Sequence, residues 1–227
     1  MKEAKTINSQ KRAAYTGLRT DVIKLIKGRP EKVLDVGCSN GELIKFFKRE
    51  WGTRFAVGIE IDKELAREAR SWADKIIVSD LDKIDHNAID KTSFDLIVFA
   101  DILEHTKNPD IVLKEILKLA SQNTQIIISL PNIQHWTAIK NLLIGKFPQR
   151  ERGLFDKTHL RFFTFDSIKK LAFSANLKIE VVARNYRITD GPGKLSFINR
   201  FSKFIAFWPF KPFLTYQYVL SLTLIKS

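Results

Sequence analysis

The chain has 227 residues, 44% of them hydrophobic, with one cysteine and a formal net charge of +13. That length suits one α/β domain, spanning 1–227, with an ample core. A single cysteine excludes an internal disulfide, and the apolar runs fall far short of the ~20 residues a membrane-spanning helix needs. The polar N-terminus carries no apolar signal core, so the expectation is a cytoplasmic protein.

The charge is unevenly placed. Residues 1–130 hold 22 Lys and Arg against 20 Asp and Glu, and residues 131–227 hold 16 against 5. An excess so confined points to an anionic partner, such as phosphate, nucleic acid or a lipid surface, or else to a solvated basic face.

Strand and helix signals alternate through the first 130 residues, which predicts a mainly parallel sheet with helices on both faces. Residues 11–27 read as a helix with Leu18, Val22, Leu25 and Ile26 on one side, ended by Gly28-Arg-Pro. Val33–Val36, Phe55–Ile59, Ile76–Val78, Phe94–Ala100 and Gln125–Leu130 read as strands, with helices over 41–50, 63–73 and 110–120 between them. Residues 131–163 are an irregular insertion rich in Asn, His, Trp and charge, and such long segments are usually functional. Asp166 is expected to cap a helix over 167–175. Strand-like 178–187 and 216–225 add a late pair to the five-stranded core, giving seven strands in all.

The first strand runs into Asp35, Gly37, Cys38 and Gly41. Gly37 and Gly41 allow backbone angles closed to other residues and a close approach to a ligand. The helix that follows offers free N–H groups to a carboxylate. Asp35 can order the loop or accept hydrogen bonds from a cationic amine. Glu60 follows the second strand, and a carboxylate there can grip both hydroxyls of a ribose. Asp80, with Leu81 beside it, follows the third strand and can receive an adenine amine. One glycine loop alone is an ordinary strand-to-helix turn. Three such groups after three successive strands converge on one sheet edge.

On these residues, the region 32–130 resembles class I S-adenosylmethionine-dependent methyltransferases of the small-molecule type. The resemblance implies a Rossmann-like sheet with one antiparallel C-terminal strand. It implies that S-adenosyl-L-methionine is the cofactor, with Asp35, Gly37 and Gly41 at its methionine moiety, Glu60 at the ribose, and Ile61, Asp80 and Leu81 at the adenine. Ala100 would lie beside the sulfonium. Glu104-His105 matches a pair common in the family after the fourth strand; His105 is expected to support the loop or to pack near the cofactor. Tyr15 and Arg19, one turn apart, would approach the cofactor carboxylate, although two amphipathic side chains on an exposed helix give the same spacing.

On the acceptor side, His135 and His159 are candidate general bases, because a histidine titrates near neutral pH and a hydroxyl acceptor must lose a proton. Asp156, three residues before His159, is a candidate partner. The same residues would also serve as a buried Asp–His–Arg brace with Arg161. No histidine–carboxylate set has metal-site spacing, so no metal is expected. Leu130-Pro-Asn-Ile-Gln-His-Trp136 and Asp156-Lys-Thr-His-Leu-Arg-Phe-Phe-Thr164 resemble a methyltransferase subgroup of surface-glycan biosynthesis. That resemblance implies O-methylation of a sugar, free or carried on a nucleotide or a lipid pyrophosphate; other small molecules, such as quinones or lipids, are the alternative acceptors.

Residues 194–213 place Phe197, Phe201, Phe204, Ile205 and Trp208 on one helical face beside Arg200 and Lys203. Such an amphipathic segment can lie at the inner membrane face, or pack on its own domain or a second subunit. A nucleic-acid acceptor fits the charge but not the motifs, since strand four ends in Phe99-Ala-Asp101 rather than an Asp/Asn-Pro-Pro-aromatic sequence. A nicotinamide-dependent oxidoreductase would need Gly-x-Gly-x-x-Gly where this chain has Gly37-Cys-Ser-Asn-Gly41. A cofactor-binding module without turnover is a third alternative.

Overall fold

The computed structural model describes residues 16–89, 93–190 and 210–225. Its strands are β1 (Lys32–Val36), β2 (Phe55–Glu60), β3 (Lys75–Val78), β4 (Phe94–Ala100), β5 (Ala120–Pro131), β6 (Leu177–Tyr186) and β7 (Thr215–Leu224). They form one sheet in the order β3-β2-β1-β4-β5-β7-β6. The first five are parallel, and β7 runs antiparallel between β5 and β6. The seven-stranded, Rossmann-like architecture expected from the sequence is therefore present.

Alternation along each strand divides the core in two. Leu34, Val36, Ile97, Phe99 and Ile128 pack in one cluster, while Val33, Leu96, Val98 and Ile127 pack in another with Leu43 and Phe47. A two-residue period sends neighbours to opposite faces, and a sheet covered on both faces needs the apolar runs seen in β1 and β4. Because β1 lies between β2 and β4, the chain leaves it to opposite sides, and a crevice opens at the strands' carboxyl ends.

The helices are α1 (Thr20–Ile23), α2 (Glu42–Phe46, continued as a π turn over Phe47–Trp51), α3 (Lys63–Ala69), α4 (Pro109–Leu117), α5 (Trp136–Leu143), α6 (Phe165–Ser174) and α7 (Lys211–Leu214). Within the described residues, α1 covers far less than the expected 11–27, because Arg19 stands outside helical geometry as its N-cap. The insertion contains α5, which the sequence reading treated as irregular. The cap of α6 is Thr164, not Asp166: the Thr164 hydroxyl accepts from the Ser167 N–H in a reciprocal capping box. Asp166 is left to pair with Lys169 and Lys170. Tyr15 and most of the amphipathic segment 194–213 lie outside the described residues. Among those described, no helix is long and apolar enough to cross a membrane.

Candidate active site

The loop after β1 is shaped by close approaches that exclude side chains. The N–H groups of Gly37 and Cys38 both donate to the Ile59 carbonyl, at 2.8 and 3.0 Å, which ties the loop to β2. Gly37 has φ 76°, and a Cβ there would stand 2.6 Å from Cγ1 of Ile102. Gly41 has φ 81°, and its Cβ would stand 3.0 Å from the Cα of Ala69. Ser39, where the resembled family often has glycine, also sits at positive φ. The Cys38 thiol occupies the space beside Gly58, where a Cβ would be 2.5 Å from its sulfur. Burial pushes that thiol's pKa up, so Cys38 fills space rather than acting as a nucleophile.

Glu60 fastens the loop from the neighbouring strand. Its Oε2 accepts from the Ser39 N–H at 2.8 Å and its Oε1 from the Asp62 N–H at 2.9 Å. Each carboxylate oxygen can accept a further bond, so Glu60 can brace two loops and still face a ligand. Above this floor opens a cavity of about 480 Å³. Of the residues expected at the cofactor, Arg19, Asp35, Gly37, Cys38, Glu60, Ile61, Ala100 and His105 line it. Gly41 shapes the turn from behind. Asp80 and Leu81 are not among the lining residues. The Asp80 carboxylate accepts from the Asp82 N–H, and Leu81 packs into the core. Buried Asp35 is pushed up to about 7 by desolvation and by the charge of Glu60, against the opposing pull of Arg19.

Arg19 reaches inward rather than along a helix face. Its guanidinium donates to Asp101, to both oxygens of Asp21 and, at 2.8 Å, to the Ser129 hydroxyl. Asp101, at positive φ, also accepts from the Ser129 hydroxyl and from the Gln217 amide. This network joins the N-terminal segment to β4, β5 and β7.

A second cavity, of about 240 Å³, adjoins the first and shares Arg19, Asp101 and His105 with it. Glu104, Asp156 and His159 contribute to its lining, together with Arg152, Arg187, Tyr216 and Gln217. The insertion is clasped to Glu104 by its backbone, since the N–H groups of Leu160 and Arg161 both donate to the Glu104 carbonyl, at 2.8 and 3.0 Å. Glu104 is buried, and desolvation together with Asp101 pushes its pKa well up.

The candidate bases separate here. The Asp156 carboxylate accepts from the N–H and hydroxyl of Thr158, at 2.8 and 2.6 Å. Thr158 in turn meets Nδ1 of His105, its carbonyl at 3.2 Å and its hydroxyl at 3.0 Å. Asp156 thus orients His105 through Thr158. His159 lines the same cavity, and its Nδ1 is buried without a hydrogen-bond partner. His135 lines neither cavity and is fully buried, with Nδ1 2.8 Å from the Thr137 hydroxyl and Nε2 2.8 Å from the Arg187 carbonyl. The Asp–His–Arg brace is not formed through Arg161, whose guanidinium donates to the Lys107 carbonyl. Arg187, Tyr216 and Gln217 were missed in the sequence because only the folding of β6 and β7 beside β5 brings them to the cavity.

Solved structures share this architecture. A methyltransferase described as S-adenosylmethionine-dependent, from Archaeoglobus fulgidus, matches at 16% identity and TM-score 0.60, covering 94% of each chain. Magnesium protoporphyrin IX methyltransferase from Synechocystis PCC 6803, solved with bound S-adenosylhomocysteine, matches at 13% and 0.56, covering 97% of this chain and 83% of that one. A methyltransferase described as putative, in complex with the Trm112 activator from Haloferax volcanii, matches at 12% and 0.64, covering 99% and 94%. No curated protein matches the sequence. The fold is that of S-adenosylmethionine-dependent methyltransferases. A family model described as methionine biosynthesis protein MetW matches residues 19–208, most of the chain, and the protein belongs to that family.

Proposed function

We propose that the chain binds S-adenosylmethionine in the larger cavity and transfers its methyl group to a hydroxyl of a small acceptor in the smaller one. The observation that carries this reading is the junction: Arg19, Asp101 and His105 line both cavities, so a donor in one faces an acceptor in the other. The acceptor oxygen forms a bond to the methyl carbon as the carbon–sulfur bond breaks and its electron pair passes to sulfur. The sulfonium is activated already, so the protein supplies alignment and removal of the hydroxyl proton. In this reading Asp35 receives the cationic amine, Glu60 the ribose hydroxyls, and the Glu104–His105–His159 wall the acceptor hydroxyl. Of the two candidate bases, His159 lines the smaller cavity and His135 does not, which supports His159 on the acceptor side of this reading.

The finer reading is a sugar hydroxyl on a phosphate-bearing precursor. Arg152 and Arg187 line the smaller cavity and suit an anionic group on the acceptor. The family description names methionine biosynthesis instead, so the sugar reading rests on the chain's own residues.

Calorimetry with S-adenosylmethionine and S-adenosylhomocysteine tests the first half, and Glu60→Ala should weaken both at least about tenfold, as expected for lost charge-assisted hydrogen bonds. Methyl transfer from labelled cofactor to sugar phosphates, nucleotide sugars and quinols tests the second. No heat with either form of the cofactor would end the proposal. Turnover with quinols alone would replace the sugar.

A further inference from the structure

The wall between the two cavities contains two buried polar atoms without hydrogen-bond partners, Oε2 of Glu104 and Nδ1 of His159. Burying a polar atom without a partner is unfavourable, so two such atoms kept side by side point to a shared partner between them. Donor atoms of Glu104, His105 and His159 all lie within 4.8 Å of one another. Three atoms so spaced share a point within about 2.8 Å of each, and side-chain shifts below about 1 Å bring them to metal–ligand distance.

We infer that Glu104, His105 and His159 form a site for a divalent first-row transition-metal ion at the junction of the cofactor and acceptor cavities. The donor set favours such an ion over magnesium or calcium, which prefer oxygen ligands throughout. Asp101 and Asp156 line the same cavity as Glu104, where Arg19, Arg152 and Arg187 offset their charge, so the donor set rather than net charge carries the assignment. The support behind His105 is of the kind that ligating histidines have, with Nδ1 against the Thr158 carbonyl and hydroxyl and Asp156 behind Thr158. The backbone clasp on the Glu104 carbonyl holds His159 in place although it is far away in sequence. That distance hid the site from spacing rules, which read His159 with Asp156 and expected no metal.

Three protein ligands leave coordination positions open, as at catalytic metal sites. The role in turnover rests on the methyl-transfer reading: an acceptor hydroxyl on the ion becomes more acidic and gives its proton to Asp156, and His159 serves as ligand rather than base. Binding of the ion rests on the side chains alone.

The test is titration of the chelator-treated full chain with Mn²⁺, read by loss of the free ion's paramagnetic resonance signal, and with Co²⁺, read by visible absorption. One ion per chain is expected, with Glu104→Gln and His159→Ala each weakening binding at least about tenfold. His159→Gln serves where the alanine variant melts early. S-adenosylhomocysteine affinity should change less than about threefold in these variants, since neither residue lines the cofactor cavity. A folded wild-type chain that takes up neither ion at millimolar concentration would overturn the site. So would variants that bind as the wild type does. Ion binding without any heat from S-adenosylhomocysteine would support the site and count against the methyl-transfer reading.

Discussion

The imidazole rings of His105 and His159 meet edge to face, with centroids 4.8 Å apart and planes at 71°. Burial lowers the pKa of both below the ordinary 6.5, and the charge of His105 lowers His159 further. Both rings are therefore neutral at pH 7, with lone pairs available to a proton or a metal ion.

Activity that uses these lone pairs should stay level around neutral pH and fall only below about 6.5. Stability should follow the same direction. The unfolded chain protonates its histidines near 6.5 and the folded chain only lower, so unfolding becomes easier as pH drops through that value. Turnover against pH, with melting temperatures over the same range, checks both. An acidic limb beginning above pH 7 would contradict neutral, buried rings.

Asp35 has the opposite linkage. Its carboxyl is pushed from 3.8 up to about 7, so the folded chain keeps a proton that the unfolded chain has released. Its contribution to stability is present below about pH 4, is lost as pH rises towards 7, and stays lost above 7. Asp35→Asn should therefore raise the melting temperature of the ligand-free protein at pH 8, by the equivalent of about 1–3 kcal/mol. A cofactor amine would favour the charged carboxylate. Binding of S-adenosylhomocysteine at pH 6 should then release a proton, visible as a buffer-dependent heat, and the Asn variant should release none.

The five parallel strands were legible because each is a short apolar run closed by a turn or charge signal, as Phe94–Ala100 is. Part of the lining of the larger cavity was legible because Asp35, Gly37 and Glu60 stand at strand ends, where register and topology determine position. The lining of the smaller cavity was not. Its wall joins Glu104 to His159 through backbone hydrogen bonds, and its far side comes from β6 and β7. No local pattern encodes either contact. Helix α5 escaped because its N-cap is His135 rather than a common capping residue.

His135 and His159 should give different phenotypes. His135 holds the start of α5 and bridges to the Arg187 carbonyl, so His135→Ala removes bonds at Thr137 and Arg187 together. We expect a loss of about 2–3 kcal/mol in stability, with kcat changed only a few-fold. His159→Ala should lower kcat by about a hundredfold or more with a small change in melting temperature. Denaturant titrations beside single-turnover rates separate the two. A large loss of kcat in a stable His135→Ala protein would make His135, not His159, the histidine that turnover needs.

Gly37 and Gly41 should differ in how they can be rescued. An alanine at either position meets a positive φ and a contact of 3.0 Å or less, so each change should cost about 1–3 kcal/mol. At Gly37 the obstacle is the Ile102 side chain, which a second substitution can remove; at Gly41 it is the Cα of Ala69, which none can. Gly37→Ala should therefore regain part of its lost stability when measured against Ile102→Ala rather than wild type, since Cγ1 and Cδ1 are gone while the 3.0 Å approach to Cβ and the backbone strain remain. Gly41→Ala should regain nothing when measured against Ala69→Gly beyond relief at the Cβ. Thermal melts of the two double-mutant cycles provide the comparison. Equal rescue in both would mean that backbone angle alone, not crowding by Ile102, requires glycine in this loop.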